Sequence, residues 1–221
     1  MFCKKGQQSF TSCPFLFLIY TLYVTVIEHS ARRISADCLQ EHAMKQSLVV
    51  GGTGILAPLT PWLIEQGYWV TVIGQSSEKL ANVVRQAKTS RYLTPLALDY
   101  HDRARLRKWI EHVQLMQGPL DLVVSWIHEP KEPVLTAIFD EIAAYRHDSW
   151  RLIDVIGSFG PSTVQLPGPC HTQRVILQDA RRPDRAGGIM PADIISATKL
   201  AVRTPEQSVI YVPGSSLSRP N

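Results

Sequence analysis

A glycine-rich turn is the part of the sequence whose residue types and spacing most directly imply chemistry. Residues 52–57 read Gly-Thr-Gly-Ile-Leu-Ala and fit the pattern G-x-G-x-x-[G/A] between an apolar run and a helical pattern. In this pattern the glycines permit a tight turn and let the backbone approach a pyrophosphate, and the small final residue allows close helix–strand packing. The alternative is a glycine turn whose ligand has been lost. The predicted cofactor-binding residues of this turn are Gly51, Gly52, Thr53, Gly54, Ile55 and Leu56.

The end of the second predicted strand bears on the choice of nucleotide. A site for NAD usually has a carboxylate about 20 residues after the glycines, where it accepts a hydrogen bond from the ribose 2′-hydroxyl. Residues 74–77 read Gly-Gln-Ser-Ser and offer no carboxylate. We therefore expect NADP as the cofactor, with Gln75 and Ser76 in contact with it and NAD as the alternative. No arginine stands beside these residues, and Arg85 and Lys88 are the later cations that we consider for this role. Helix capping is the other role open to the serines.

The elements that must position these residues alternate along the chain. Continuous apolar strand patterns separated by helical patterns predict a parallel sheet covered on both faces, hence a doubly wound α/β Rossmann fold. Beyond residue 157 the pattern weakens, although 174–178, 191–202 and 208–212 still suggest a strand, a helix and a last strand. The main predicted strands are 47–50, 69–73, 92–98, 120–127 and 150–156, and the helices are 55–66, 77–88, 102–116 and 134–145.

Composition narrows the class of protein. With 221 residues, 45% of them apolar and 19% charged, the chain can bury one substantial core, which excludes a disordered protein. The net charge is +4 without a dense basic block, so we do not expect a nucleic-acid partner. None of the four cysteines lies at C-x-x-C spacing and no histidines have metal-ligand spacing, so we expect neither a metal site nor disulfides and predict a reducing, cytoplasmic location.

The first 43 residues differ from the rest. Lys4 and Lys5 precede an apolar run at 15–27, which resembles the start of a signal peptide but is too short to span a bilayer. We interpret 1–43 as an extension outside the fold, with a membrane-associating segment or a packed element as alternatives. The remaining division is a dinucleotide-binding domain at 44–213 and a tail at 214–221. The oligomeric state is left open.

Several short stretches resemble the short-chain dehydrogenase/reductase family over residues 45–160. Residues 49–56 (Val-Val-Gly-Gly-Thr-Gly-Ile-Leu) are similar to the opening turn of its atypical branch, and residues 118–124 (Gly-Pro-Leu-Asp-Leu-Val-Val) to the entry of its fourth strand. Residues 98–100 (Leu-Asp-Tyr) resemble the acidic site after the third strand. The resemblance implies an adenine contact for Asp99, with Tyr100 beside it, and a catalytic role for Ser158 just past the fifth strand.

Two departures from the family pattern concern catalysis. After the fourth strand the family has Asn-Asn-Ala-Gly, whereas residues 125–128 here read Ser-Trp-Ile-His; Ser125 is nevertheless a predicted cofactor contact. The family also carries Tyr-x-x-x-Lys on a long helix after the fifth strand, and no tyrosine of this chain has a lysine four residues later. We interpret the fold as truncated after the fifth strand by loss of that catalytic helix.

His128 is the best remaining candidate for proton transfer. It follows the fourth strand, and ligands of doubly wound sheets bind at the carboxyl ends of the strands. An imidazole can exchange a proton with a carbonyl or alcohol near neutral pH, and Ser158 could hydrogen-bond the same oxygen. Loop capping is the alternative role for His128. The sequence thus predicts an NADP-linked oxidoreductase of unknown substrate, with a nucleotide-binding regulator without turnover, or a membrane-associated member of the family, as alternatives.

Overall fold

The computed structural model describes residues 44–157, 168–177 and 189–212. Within these ranges the strands are β1 (Lys45–Val50), β2 (Tyr68–Gly74), β3 (Leu93–Ala97), β4 (Leu120–Ser125), β5 (Trp150–Ile156), β6 (Cys170–Leu177) and β7 (Val209–Val212). The helices are α1 (Leu59–Glu65), α2 (Ser77–Gln86), α3 (Arg103–Gln117), α4 (Glu132–Tyr145) and α5 (Pro191–Arg203). The apolar run at 15–27 and the tail at 214–221 lie outside the described residues.

All seven strands belong to one parallel sheet with the order β3-β2-β1-β4-β5-β6-β7. The chain moves outward from β1 to β3, returns to pair β4 with the other side of β1, and then moves outward again. The strand order therefore reverses between β1 and β4, which is where doubly wound sheets bind their ligands. The predicted Rossmann fold is confirmed.

Two hydrophobic cores lie on opposite faces of the sheet. Successive side chains of β1 alternate between them: Leu48 and Val50 pack in one core and Val49 in the other. Helices α3 and α4 contribute to the core of Leu48, whereas α1, α2 and α5 contribute to the core of Val49. The continuous apolar strands of the sequence are thus explained by burial on both faces.

Helix α1 begins later than the sequence pattern predicts, at Leu59 rather than residue 55. Pro58 has no N–H with which to bond the carbonyl of Gly54, as an α-helix would require. Instead, the N–H of Ala57 donates to the Gly54 carbonyl oxygen at 3.0 Å. Tight turns over 51–58 therefore connect β1 to the helix.

The ends of two other strands also differ from prediction. β4 ends at Ser125, two residues before the predicted end, so that Trp126 and His128 belong to the loop that follows the carboxyl end of this strand. β6 begins at Cys170, four residues before the predicted start, because the polar residues 171–173 conceal its pattern. The sheet thus continues past β5 through β6 and β7. The predicted loss of the catalytic helix concerns the connection between Ile156 and Cys170, of which 158–167 lie outside the described residues.

No helix in the described part of the chain is both long and apolar enough to cross a membrane.

Candidate functional site

A cleft of about 610 Å³ lies at the carboxyl ends of the central strands. Four connections form it: the turn after β1, the end of β2 with the start of α2, the loop after β3, and the loop after β4. The cleft is lined by Gly51, Thr53, Gly54, Ile55, Gly74, Gln75, Ser76, Lys79, Tyr100, His101, Trp126 and His128. None of these residues is acidic, so the lining suits an anionic ligand.

The first two glycines of the turn serve the protein's own packing. Gly51 has a φ of +75°, and a β-carbon on it would collide with the carbonyl oxygen of Trp126. The N–H of Trp126 donates to the Val50 carbonyl oxygen at 3.0 Å, which fixes this close approach. A β-carbon on Gly52 would meet the side chains of Val49 and Val72. Glycine is therefore required at both positions whether or not a ligand binds.

Gly54 differs from both, because a β-carbon there would meet no protein atom within 4 Å. It also lacks the positive φ that would favour glycine. Neither the packing nor the backbone conformation of the protein requires glycine at position 54, which faces the cleft. This is the position where the sequence motif needs glycine for close approach of a pyrophosphate.

The end of the cleft near β2 carries the residues expected to distinguish NADP from NAD. Ser76 caps α2, its Oγ accepting a hydrogen bond from the N–H of Lys79 at 3.3 Å. The side chain of Lys79 lines the cleft on the same helical turn, a cation that sequence reasoning missed. The two cations named from the sequence lie elsewhere: Arg85 bonds Asn82, and Lys88 Nζ lies 3.1 Å from Glu65 Oε1.

The loop after β3 presents Tyr100 and His101 to the cleft, with their rings 4.7 Å apart. Asp99 instead closes the loop, since its Oδ1 accepts a hydrogen bond from the N–H of His101 at 2.9 Å. This bond, with a contribution from the Gln75 side chain, lowers the pKa of the Asp99 carboxyl. The Asp99 carboxylate therefore stabilises the start of this loop and does not line the cleft.

His128 lies where two cavities meet. It lines the large cleft together with Trp126, and both residues also line a second cavity of about 190 Å³ between the ends of β4 and β5. Their rings are nearly perpendicular, with centroids 6.4 Å apart. The backbone N–H of His128 makes a long hydrogen bond of 3.5 Å to the hydroxyl of Tyr100. Ser158, its expected partner, lies outside the described residues.

The structure brings together seven of the predicted cofactor residues and separates four. Those along the cleft are Gly51, Thr53, Gly54, Ile55, Gln75, Ser76 and Tyr100. Leu56 is fully buried in the core, and Ser125 is also fully buried, donating from Oγ to Asp154 Oδ1 at 2.9 Å. Gly52 and Asp99 take the packing and loop roles described above.

Comparison with known proteins supports the fold assignment. No protein-family model and no curated protein matches the sequence. Many solved structures match in three dimensions. A metagenomic short-chain oxidoreductase in complex with NADP aligns with a TM-score of 0.60 and 16% identity over 78% of this chain and 97% of that chain. A short-chain dehydrogenase/reductase of the glucose/ribitol dehydrogenase type from Brucella melitensis aligns with a TM-score of 0.59 and 10% identity over 77% of this chain and 95% of that chain.

A β-ketoacyl-acyl-carrier-protein reductase from Bacteroides thetaiotaomicron aligns with a TM-score of 0.56 and 15% identity over 79% of this chain and 98% of that chain. The chain therefore has the fold of the short-chain dehydrogenase/reductases, as its sequence resemblance implies.

Proposed function

We propose that the protein is an NADP-dependent oxidoreductase that acts on a carbonyl or alcohol substrate. The observation that carries this proposal concerns Gly54, which faces the cleft at the pyrophosphate position of the motif. No contact within the protein requires a glycine at this position. A structural neighbour of the same fold is described as a complex with NADP. The cleft, at the reversal of strand order, is where a dinucleotide would bind in this fold.

The preference for NADP over NAD rests on Lys79 and Ser76. An ammonium group and a hydroxyl can both donate hydrogen bonds to a 2′-phosphate, and charge-assisted bonds are the stronger kind. No carboxylate lines the described part of the cleft to bind a 2′-hydroxyl or repel a phosphate. We therefore propose NADP as the natural cofactor, with NAD as a weaker ligand.

The proton-transfer role is assigned to His128. Bound NADPH would supply a hydride to the carbonyl carbon of the substrate. The imidazole of His128 would give its proton to the carbonyl oxygen as that oxygen takes the electron pair of the C=O bond, and would regain a proton from water. Ser158, which follows β5, is proposed to orient the same oxygen.

A regulator that binds the nucleotide without turnover is the second candidate. The observation that favours it is the lack of a Tyr-x-x-x-Lys sequence in the whole chain. Such a protein would keep the cleft and bind NADPH but would not consume it.

Turnover decides between these candidates. We expect loss of NADPH absorbance with at least one member of a panel of aldehydes and ketones. The His128→Ala variant should lower kcat by about 10²–10⁴, the usual contribution of a general acid, while leaving the NADPH dissociation constant within about twofold of wild type. His147→Ala is the matched control, since His147 is exposed and lines neither cavity.

Binding of NADPH without turnover of any carbonyl would favour the regulator. Full activity in His128→Ala would show that His128 is not the general acid.

For the location we propose the cytoplasm, because Cys170 is a free thiol and the sequence offers no disulfide pattern, which suits a reducing compartment.

A further inference from the structure

A buried ion pair connects the ends of β4 and β5 to the start of α4. Lys131 Nζ lies 2.8 Å from Asp154 Oδ2, and the other carboxylate oxygen of Asp154 accepts the hydrogen bond from Ser125. Lys131 is 7% exposed and Asp154 2%. Neither side chain lines the nucleotide cleft, and the mechanism proposed above uses neither of them.

The ion pair is a poor device for stability alone. The free energy needed to remove two charges from water often exceeds the free energy gained from their attraction. Well-packed apolar residues can therefore often replace a buried ion pair without loss of stability. Lys131 also directly precedes α4, and the positive end of a helix dipole disfavours a cation. A lysine at this position thus opposes both burial and helix electrostatics, which points to a role beyond holding the fold.

Lys131 borders the second cavity, the one of about 190 Å³ that His128 shares with the cleft. An ammonium group has three N–H donors, and among the described residues the Lys131 ammonium has one hydrogen-bond partner, Asp154. The carboxylate therefore holds the lysine at the wall of the cavity while leaving donors for a further group. The other described walls of the cavity are His128, Gly157, one carboxylate and four apolar residues. The carboxylate is Glu129, whose Oε2 accepts a hydrogen bond from the backbone N–H of Lys131 at 3.2 Å, and the apolar residues are Trp126, Ile127, Val155 and Ile156.

We propose that this cavity is the substrate site and that Lys131 donates a hydrogen bond to the carbonyl oxygen of a small, largely apolar aldehyde or ketone. The proposal rests on the proposed function. The cavity volume of about 190 Å³ is below the roughly 300–1,000 Å³ of typical small-molecule sites, so its described walls suit a small substrate. As hydride reaches the carbonyl carbon and the C=O electron pair moves to oxygen, Lys131 stabilises the developing negative charge and His128 supplies the proton.

In this arrangement Asp154 is a positioning residue. It binds the ammonium in one place through Oδ2, while Ser125 fixes the carboxylate through Oδ1. The two bonds orient Lys131 without bringing Asp154 itself to the substrate.

The test compares wild type with Lys131→Met and Lys131→Arg in the full-length protein. The probes are butanal, butanone, cyclohexanone and, as a bulky ketone, a steroid ketone, each followed by loss of NADPH absorbance. We expect wild type to reduce at least one of the three small carbonyls and not the steroid. Lys131→Met should lower kcat by about 10²–10³, as loss of an oxyanion donor does, with the NADPH dissociation constant unchanged. Lys131→Arg should retain part of the rate because it keeps a donor and the charge opposite Asp154.

A second variant separates catalysis from folding, since Lys131→Met leaves Asp154 buried and unpaired. Lys131→Met/Asp154→Leu removes both charges, and we expect it to melt within a few degrees of wild type while remaining as inactive as the single variant. Lys88→Met, which removes a lysine from the surface, is the matched control and should behave as wild type.

The outcomes distinguish the two proposals. If NADPH does not bind to wild type, the proposed function fails. If NADPH binds but none of the small carbonyls is reduced, or if the folded double variant keeps the wild-type rate, the substrate site is wrong while the nucleotide cleft stands. Reduction of the steroid ketone in preference to the small carbonyls would likewise overturn the site.

Discussion

The carbonyl oxygen of Trp126 occupies the space that a β-carbon on Gly51 would need. This contact joins the loop after β4 to the turn after β1, so two walls of the cleft depend on each other. Gly51 also has a positive φ, a conformation that costs other residues of the order of 1–3 kcal/mol.

Gly51→Ala should therefore lower the free energy of unfolding by at least about 1–3 kcal/mol. Gly54→Ala, which meets no protein atom, should stay within about 0.5 kcal/mol of wild type. Urea unfolding of both variants, followed by circular dichroism, measures the difference. Equal stabilities of Gly51→Ala and Gly54→Ala would contradict the close contact between Gly51 and the carbonyl oxygen of Trp126.

Lys79 should determine the preference for NADP. A hydrogen bond to a charged group contributes about 1.5–3 kcal/mol, so Lys79→Met should raise the NADPH dissociation constant by about 10–100-fold. The NADH constant should change little, because NADH has no 2′-phosphate. Fluorescence titrations of both nucleotides at one ionic strength give the ratio, and Lys88→Met is the control. An equal effect on both nucleotides would remove Lys79 from the 2′-phosphate site.

Residues 1–43 should be dispensable for folding. Strand β1 starts at Lys45, and both of its partner strands, β2 and β4, lie further along the chain. A chain that begins at Met44 should melt cooperatively within a few degrees of the full chain by calorimetry. Aggregation, or a clearly lower melting temperature, would indicate that the apolar run at 15–27 covers part of the domain.

Cys170 should react slowly with thiol reagents. Burial raises the pKa of its thiol from 9.0 to about 11, and the thiolate is the reactive form. In the chain that begins at Met44 it is the single cysteine. Its reaction with a disulfide reagent such as dithionitrobenzoate should be about 100-fold slower than that of free cysteine at pH 8, and should accelerate about tenfold per pH unit up to pH 10. A rate at pH 8 equal to that of free cysteine would contradict the burial of this thiol.

Much of the fold was predictable because strands that are buried on both faces of a sheet consist largely of apolar residues, which are easily recognised in a sequence. Strand β5 runs from Trp150 to Ile156 as predicted, and five of its seven residues are apolar. The start of α1 was mispredicted because the apolar periodicity extends to residue 55, while the missing N–H of Pro58 forces tight turns there. The start of β6 was missed because its first residues are polar.

The site was less predictable, because cleft contacts depend on how side chains from distant segments converge. The glycine motif indicates where a turn lies but not which of its side chains face outward. Leu56 belongs to the same motif as Gly54, yet its side chain packs in the core. Lys79 was overlooked because nothing in its spacing shows that the first turn of α2 faces the cleft. The pairing of Lys131 with Asp154, 23 residues apart, follows from the parallel sheet and has no local signal.

Calorimetric titration of NADPH into wild type and Gly54→Val tests the central claim most directly. A β-carbon at position 54 would meet no protein atom within 4 Å, and the valine side chain would occupy the space that the pyrophosphate needs. We predict one NADPH bound per wild-type chain and no measurable binding to Gly54→Val, with both proteins melting at similar temperatures. Equal NADPH affinity in the two proteins, or no binding to wild type, would contradict the account.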